Sequence, residues 1–181
     1  SVNNDRIIAF VGSGYAPTSV PTLTSAHGTW TLVKSQVSAP DNYRNSCFTC
    51  VANGASGAVT IDFAGVTQTV CIWSIIEFST QSGIVQSVGA TGSGTTALAT
   101  LAAFEDSLNA TLGGLFCVGN PTVGAGFTQL GEIGGGGGYI NTEWQTGNDT
   151  TVDWSLGSAA WVVVALELRE ASAVVPGGAF L

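Results

Sequence analysis

Positive charge is the scarcest property of this sequence. Of 181 residues only 9% are charged, and 4 Lys and Arg stand against 12 Asp and Glu, for a net charge of −8. Soluble proteins carry roughly 25% charged residues. Nucleic-acid binding needs clustered cations that displace the counterions of the phosphates, so four scattered cations exclude it. The same shortage argues against binding to an anionic membrane surface.

Long apolar runs are also lacking. The longest candidate, residues 159–166, has the length of a strand and falls short of the roughly 18 residues of a membrane helix. The chain is nevertheless 45% hydrophobic and long enough for one domain with a sizeable core. A charge-poor surface then has two explanations. It packs against other subunits, or it is the Ser-, Thr-, Asn- and Gly-rich surface of a dry sandwich.

Histidine and cysteine are too few for most kinds of catalysis. The one histidine, His27, lies in a polar turn, and no GxSxG elbow presents a serine nucleophile. Cys71 and Cys117 lie in apolar runs, where cysteine packs as a small core residue. Cys47 and Cys50 have CxxC spacing, but no helix start lowers a thiolate pKa and no second pair completes a zinc site. We expect no catalytic residue, no cofactor and no metal site.

Acidic pairs offer a weak alternative. Asp149 and Asp153 could share one face of a strand, as the two carboxylates of a glycosidase must share a cleft. Glu105-Asp106 falls in a predicted turn, and Asp149 also fits a turn. The loops Asn148-Asp149 and Asp41-Asn42 are rich in oxygen but lack the ordered spacing of a calcium site.

The most informative pattern is a repeat of short β-like runs in the two halves of the chain. In each half the series closes with a long apolar strand that carries one Glu near its end. The first copy comprises residues 6–12, 28–32, 57–63 and 71–78. The second copy comprises residues 111–119, 126–130, 149–154 and 161–168. A strand set too small to bury its own face must pack against its copy.

The repeat predicts an all-β fold, a two-sheet antiparallel β-sandwich of jelly-roll type. We expect one domain over residues 1–170, with half-repeats at 1–80 and 96–170 joined by a Gly- and Ser-rich linker at 81–95. The five glycines of Gly134–Gly138 lack a phosphate-binding pattern and predict a bent loop. Predicted strands lie at 6–12, 29–35, 46–53, 58–63, 69–79, 96–104, 110–118, 127–133, 139–146, 149–155 and 159–169.

The two halves differ at their ends. The second half has an extra leading strand at 96–104, and the first half has no counterpart. An uncharged apolar tail, residues 171–181, follows the second half. We expect this tail to pair with a sheet edge or to lie across a neighbouring subunit, with Val174, Val175, Phe180 and Leu181 as the interacting residues. Pro176 would keep any added strand short.

The second half also carries a family resemblance. The order of its motifs is N-A-x-L-G, then G-[FW]-T-x-L-x-E, then S-A-A-W followed by A-x-E-[IL]. These motifs lie at Asn109-Ala110-Thr111-Leu112-Gly113, Gly126-Phe127-Thr128-Gln129-Leu130-Gly131-Glu132 and Ser158-Ala159-Ala160-Trp161 through Ala165-Leu166-Glu167-Leu168. In this order the chain resembles β-sandwich domains of structural proteins of tailed bacteriophages. The resemblance implies a jelly-roll-like sandwich on a virion, without catalytic residues.

We therefore expect a non-enzymatic virion protein on the capsid surface, a decoration or cement protein. Its partners would be copies of itself, with a trimer as one arrangement, and a major capsid protein, with no nucleic acid and no membrane. A first alternative is a carbohydrate-binding module of a phage tail or fibre, with Tyr139, Trp144 and Trp154 as the sugar platform. A second is an extracellular filament subunit joined by strand donation. A sugar module must expose two or more of these aromatic side chains on one patch.

Overall fold

A computed structural model of the chain describes residues 5–14, 19–39, 42–78, 83–135, 137–169 and the short strand 174–175. These residues form strands and turns, and none of them belongs to a helix that could cross a membrane. The strands are β1 (Arg6–Gly14), β2 (Thr22–Ser25), β3 (Thr31–Ser38), β4 (Tyr43–Val51), β5 (Val59–Asp62), β6 (Val70–Phe78), β7 (Ile84–Thr100), β8 (Ala110–Cys117), β9 (Pro121–Val123), β10 (Thr128–Gly135), β11 (Gly138–Thr146), β12 (Thr151–Leu168) and β13 (Val174–Val175).

Two antiparallel sheets pack face to face. The first sheet has the strand order β13-β6-β1-β4-β3, and the second has the order β10-β11-β8-β12-β7. A short strand, β9, pairs with the beginning of β12, and β2 pairs with β5 as a separate two-stranded ribbon. The predicted all-β, two-sheet antiparallel β-sandwich is confirmed.

Apart from β13, each sheet is built from one half of the chain, and the two halves have the same strand order. The order β6-β1-β4-β3 in the first sheet matches β12-β8-β11-β10 in the second. Counted along the chain, both are fourth-first-third-second. A Greek key, the unit of a jelly roll, has the order fourth-first-second-third. The jelly-roll part of the prediction is therefore not confirmed.

The outer edges of the two sheets also correspond. β7 pairs antiparallel with β12, and β13 pairs antiparallel with β6, the strand that occupies the same place in the first sheet. The predicted linker at 81–95 is wrong from Ile84 onward, because this segment is the first two thirds of β7. Its glycines serve close packing: a side chain at Gly92 would collide with the ring of Trp161, and one at Gly89 with Gln36.

Two further boundaries differ from the predictions. The predicted strands at 149–155 and 159–169 are one strand, β12, with an irregularity between Ser155 and Ala159. The predicted glycine loop is shorter, because β10 continues to Gly135 and β11 begins at Gly138. A side chain at Gly134 would meet the ring of Tyr139, so this glycine lets the aromatic ring lie across the hairpin.

The main core lies between the two sheets. Alternate residues of each strand point into it, as the twofold side-chain period of a strand requires. Its fully buried members include Ile8, Phe10 and Phe78 from the first sheet and Leu112, Phe116, Ile140, Val164 and Leu166 from the second.

Additional layers cover the outer faces of both sheets. The β2–β5 ribbon covers the first sheet through Leu23 and Ile61, which pack near Val11 and Phe48. The beginning of β12 and the end of β7 fold over the second sheet, where Trp154 lies against Gly113. The apolar runs of the sheet strands are explained by this burial on both faces.

Candidate functional site

The three aromatic residues of the predicted sugar platform do not form one exposed patch. Trp154 has 0% exposure, and its indole Nε1–H donates to Asn141 Oδ1 at 2.9 Å. Trp144 packs against the main core between the sheets, whereas Tyr139 packs against the outer core of the second sheet. Side chains along a strand alternate between its two faces, so residues 139 and 144 of β11 lie on opposite faces and cannot belong to one sugar platform.

The CxxC pair is likewise separated by strand geometry. Cys47 lies in the main core, and Cys50 lies on the other face of β4 beside Ile7. All four cysteines are free thiols. Burial raises the pKa of the thiols of Cys47 and Cys71, and it raises the pKa of Cys117 to about 12. None of these environments favours a reactive thiolate.

The lone histidine is held by the backbone. His27 Nδ1 and Nε2 each lie 2.9 Å from a carbonyl oxygen, of Ala55 and Gly57 respectively. The ring therefore ties the β2 turn to the loop before β5. These two contacts give His27 a structural role in holding the two loops together.

Glu105 and Asp106 lie in an exposed turn, as predicted. Asp106 Oδ1 accepts from the Leu108 N–H at 2.9 Å. Both acids line an open depression of about 390 Å³ with Val85, Asn109 and Arg169. Asn109, one of the lining residues, donates to Glu167 Oε1 at 2.5 Å, and Gln86 donates to Glu167 Oε2 at 2.6 Å. The buried Glu167 is thereby satisfied and anchors the loop that follows β7.

The residue that sequence reasoning missed is Glu143 on β11. Its side chain has 0% exposure, Oε2 accepts from the Gly124 N–H at 3.0 Å, and Oε1 has no hydrogen-bond partner. Burial, aided by the nearby charges of Asp153 and Asp149 and opposed by the hydrogen bond from Gly124, raises the pKa of Glu143 to about 8. Strand alternation alone does not reveal this burial, because the covering layer comes from the distant β9 turn and the start of β12.

The sheet edges differ in how they are protected. Edge strands expose unpaired N–H and C=O groups, and proteins commonly protect them with charges, prolines or bulges. β3 has Lys34 and an irregularity at Leu32/Lys34, and β10 has Glu132 and one at Gln129/Gly131. β7, the other edge of the second sheet, spans 17 residues without a charge or a proline. Its stretch 86–93 pairs with β12 without a register shift, so this part of the edge is both regular and uncharged.

The fourth edge, on β6, is partly covered by the tail. Val174 pairs with Phe78 and Val175 with Glu77. Along the rest of β6, from Val70 to Ile76, no strand pairs on the outer side within the described part of the chain. Of the four predicted interaction residues, Val174 and Val175 therefore lie at a sheet edge. Phe180 and Leu181 lie outside the described residues.

No three side chains of His, Cys, Asp or Glu converge as metal ligands among the residues that the structure describes. Comparison of the chain with protein-family models, with curated proteins and with solved structures gives no match. The function must therefore be argued from the fold and its surfaces.

Proposed function

We propose that this protein is a non-enzymatic structural subunit of a virion, a capsid decoration or cement protein. It self-associates, with a trimer as one closed form, and it binds a major capsid protein on the outer surface of the shell. The observation that carries the proposal is the 17-residue edge strand β7, which has neither charge nor proline.

An edge of this kind favours pairing with another strand. Its outward N–H and C=O groups lack a strand partner within the described chain, and an added strand would satisfy them with backbone hydrogen bonds. A neighbouring subunit meets no charge repulsion along this edge. On a shell, each such contact adds buried area between subunits and resists internal pressure.

The positions of the aromatic residues support this proposal over a sugar-binding module. Sugar recognition needs exposed aromatic faces next to one another, and the fully buried Trp154 offers none. The exposed large apolar residues are instead scattered over the surface, among them Leu32 on β3, Trp73 on β6 and Leu98 on β7.

The second candidate, a filament subunit joined by strand donation, rests on the β6 edge. β13 covers only Glu77 and Phe78 of this nine-residue strand. A donated strand from another subunit could occupy the remaining edge from Val70 to Ile76. This alternative predicts open polymers that grow with concentration, whereas a decoration protein forms a closed oligomer.

A lysine placed on the β7 edge tests the proposal. Ser93→Lys adds a charge at an exposed position of this edge, and Thr60→Lys adds the same charge on the exposed face of β5. We expect the first variant to weaken self-association at least tenfold in sedimentation velocity and the second to leave it unchanged.

Hydrogen exchange locates the contact independently. In the wild-type assembly, amides of residues 86–93 should exchange more slowly at high protein concentration than at low concentration. The proposal is overturned if both lysine variants associate like the wild type and β7 exchange does not depend on concentration.

A further inference from the structure

Two buried oxygen atoms on one face of β11 have no hydrogen-bond partner. They are Glu143 Oε1 and Gln145 Oε1. Residues two apart in a strand point to the same side, so both side chains face the turn that begins at Gly124. Glu143 Oε2 accepts from the Gly124 N–H at 3.0 Å, and Gln145 Oε1 lies 3.3 Å from the position of a Cβ built on Gly126. Buried acceptors without partners call for a physical explanation.

Negative charge gathers at the same turn from a second element. A Cβ built on Gly124 would stand 2.9 Å from Asp153 Oδ1, so this carboxylate of β12 lies beside the backbone group that Glu143 accepts from. Asp149, just before β12, is close enough to act electrostatically on Glu143. No cation of the protein is among the groups that act on Glu143 there.

We propose that Glu143, Gln145 and Asp153 bind a calcium ion at the turn formed by residues 124–127. Glu143 Oε1, Gln145 Oε1 and the Asp153 carboxylate supply the protein oxygens, and water completes the six to eight ligands that Ca²⁺ takes. The ion neutralises the buried carboxylate and gives both orphaned acceptors a partner.

The ligand chemistry selects calcium over other cations. All three donors are hard oxygens, whereas zinc prefers nitrogen and sulfur in a tetrahedral set. Magnesium demands a near-ideal octahedron, which two strands and a turn with irregular spacing do not supply. With two carboxylates and one amide, the site belongs in the weak range of extracellular calcium modules, about 10⁻⁴ to 10⁻³ M.

The test uses the full chain freed of metals with a chelator. We expect 5 mM CaCl₂ to raise the Tm by about 3–6 °C, as mass action predicts for a site of this strength, and 5 mM MgCl₂ to raise it far less. Calorimetric titration with CaCl₂ measures the affinity and the number of ions bound per chain. Glu143→Gln should abolish the calcium-dependent rise, and Asp153→Asn should reduce it. Glu105→Gln, which removes one acid from an exposed turn, is the matched control.

Terbium supplies a readout that does not depend on any variant folding. Tb³⁺ bound at Glu143 lies beside Trp144 in sequence, so excitation of tryptophan should produce terbium emission that Ca²⁺ competes away. The proposal is overturned if CaCl₂ leaves the wild-type Tm unchanged and terbium emission is absent. It is equally overturned if Glu143→Gln retains the full calcium response.

Discussion

Phe116 of β8 packs against Gly12 of β1, and Phe10 of β1 packs against Gly114 of β8. A Cβ built on either glycine would collide with the ring that faces it from the other sheet. Each sheet thus places one phenylalanine over a glycine of its partner. The two sheets approach closely at this point because neither glycine carries a side chain.

This reciprocal packing predicts a large effect from a single methyl group. Gly12→Ala forces the ring of Phe116 to move within a dense core, and overpacking of this kind costs about 1–3 kcal/mol. Gly157→Ala is the control, because a Cβ there meets nothing within 4 Å. Urea denaturation measures both free energies of unfolding. Equal stability of the two variants would show that the sheets are less tightly packed than this contact requires.

Glu143 predicts a specific dependence of stability on pH. Its pKa is raised to about 8 in the folded state from an ordinary value of 4.5, mainly by burial. The carboxyl of Glu143 is protonated in both the folded and the unfolded protein below about pH 4.5. Between that pH and about pH 8 only the folded state keeps the proton, so the stabilisation of the folded state is lost as the pH rises. Above that pH the loss is complete and the curve levels off.

Glu143→Gln does not titrate, so it isolates this contribution. With a chelator present, the free energy of unfolding of the variant should rise relative to that of the wild type by about a few kcal/mol between pH 5 and pH 8. Above pH 8 the difference should stay constant. The measurement is the free energy of unfolding of both proteins at half-unit pH intervals. A difference that does not change with pH would contradict the assignment.

Trp154 links the second sheet to the layer that covers it. Trp154→Phe removes the donor to Asn141 Oδ1, which is itself fully buried, and it leaves a smaller ring in the outer core. An unsatisfied buried acceptor costs about 1–3 kcal/mol, to which the cavity adds. Thermal unfolding should show this loss, and glycan binding should not change. Loss of specific glycan binding without loss of stability would instead revive the sugar module.

The thiols should be slow to react. Burial raises the pKa values of all four cysteines. Cys47 and Cys50 also lie on opposite faces of β4, so their thiols are not neighbours. With a disulfide reagent at pH 8, fewer than one thiol per native chain should be labelled in the first minutes. In guanidinium all 4 cysteines should label. Rapid native labelling of Cys47 or Cys50 would restore the CxxC pair as a redox candidate.

The strand content and the repeat could be predicted from sequence because both depend on local patterning. The apolar run at residues 161–168 predicts a central strand, and it lies inside its sheet between β8 and β7. The run at residues 71–78 predicts the same, but β6 lies at the edge of the first sheet and β13 covers it only at Glu77 and Phe78. The glycines at residues 83–94 predict a linker because glycine commonly interrupts strands. In the fold those glycines make room for Gln36 and Trp161 from other elements, which no local pattern encodes.

The candidate calcium site could not be predicted from the sequence either, because it depends on contacts between elements that are distant along the chain. Asp149 and Asp153 are visible in the sequence, but their neighbour Glu143 comes from a different strand. Only the turn at Gly124, carried over the second sheet by β9, brings these residues together. The sequence also does not predict that β7 is an edge strand, because its position in the second sheet depends on the strand order.

The mass of the native assembly tests the central claim most directly. Light scattering on the wild-type chain, beside a chain that lacks residues 171–181, should show a closed oligomer at a fixed multiple of 18.3 kDa. Removal of the tail should weaken assembly more than folding. A stable monomer at every concentration, unaffected by the truncation, would contradict a structural role in a shell and direct the next experiment to glycan binding.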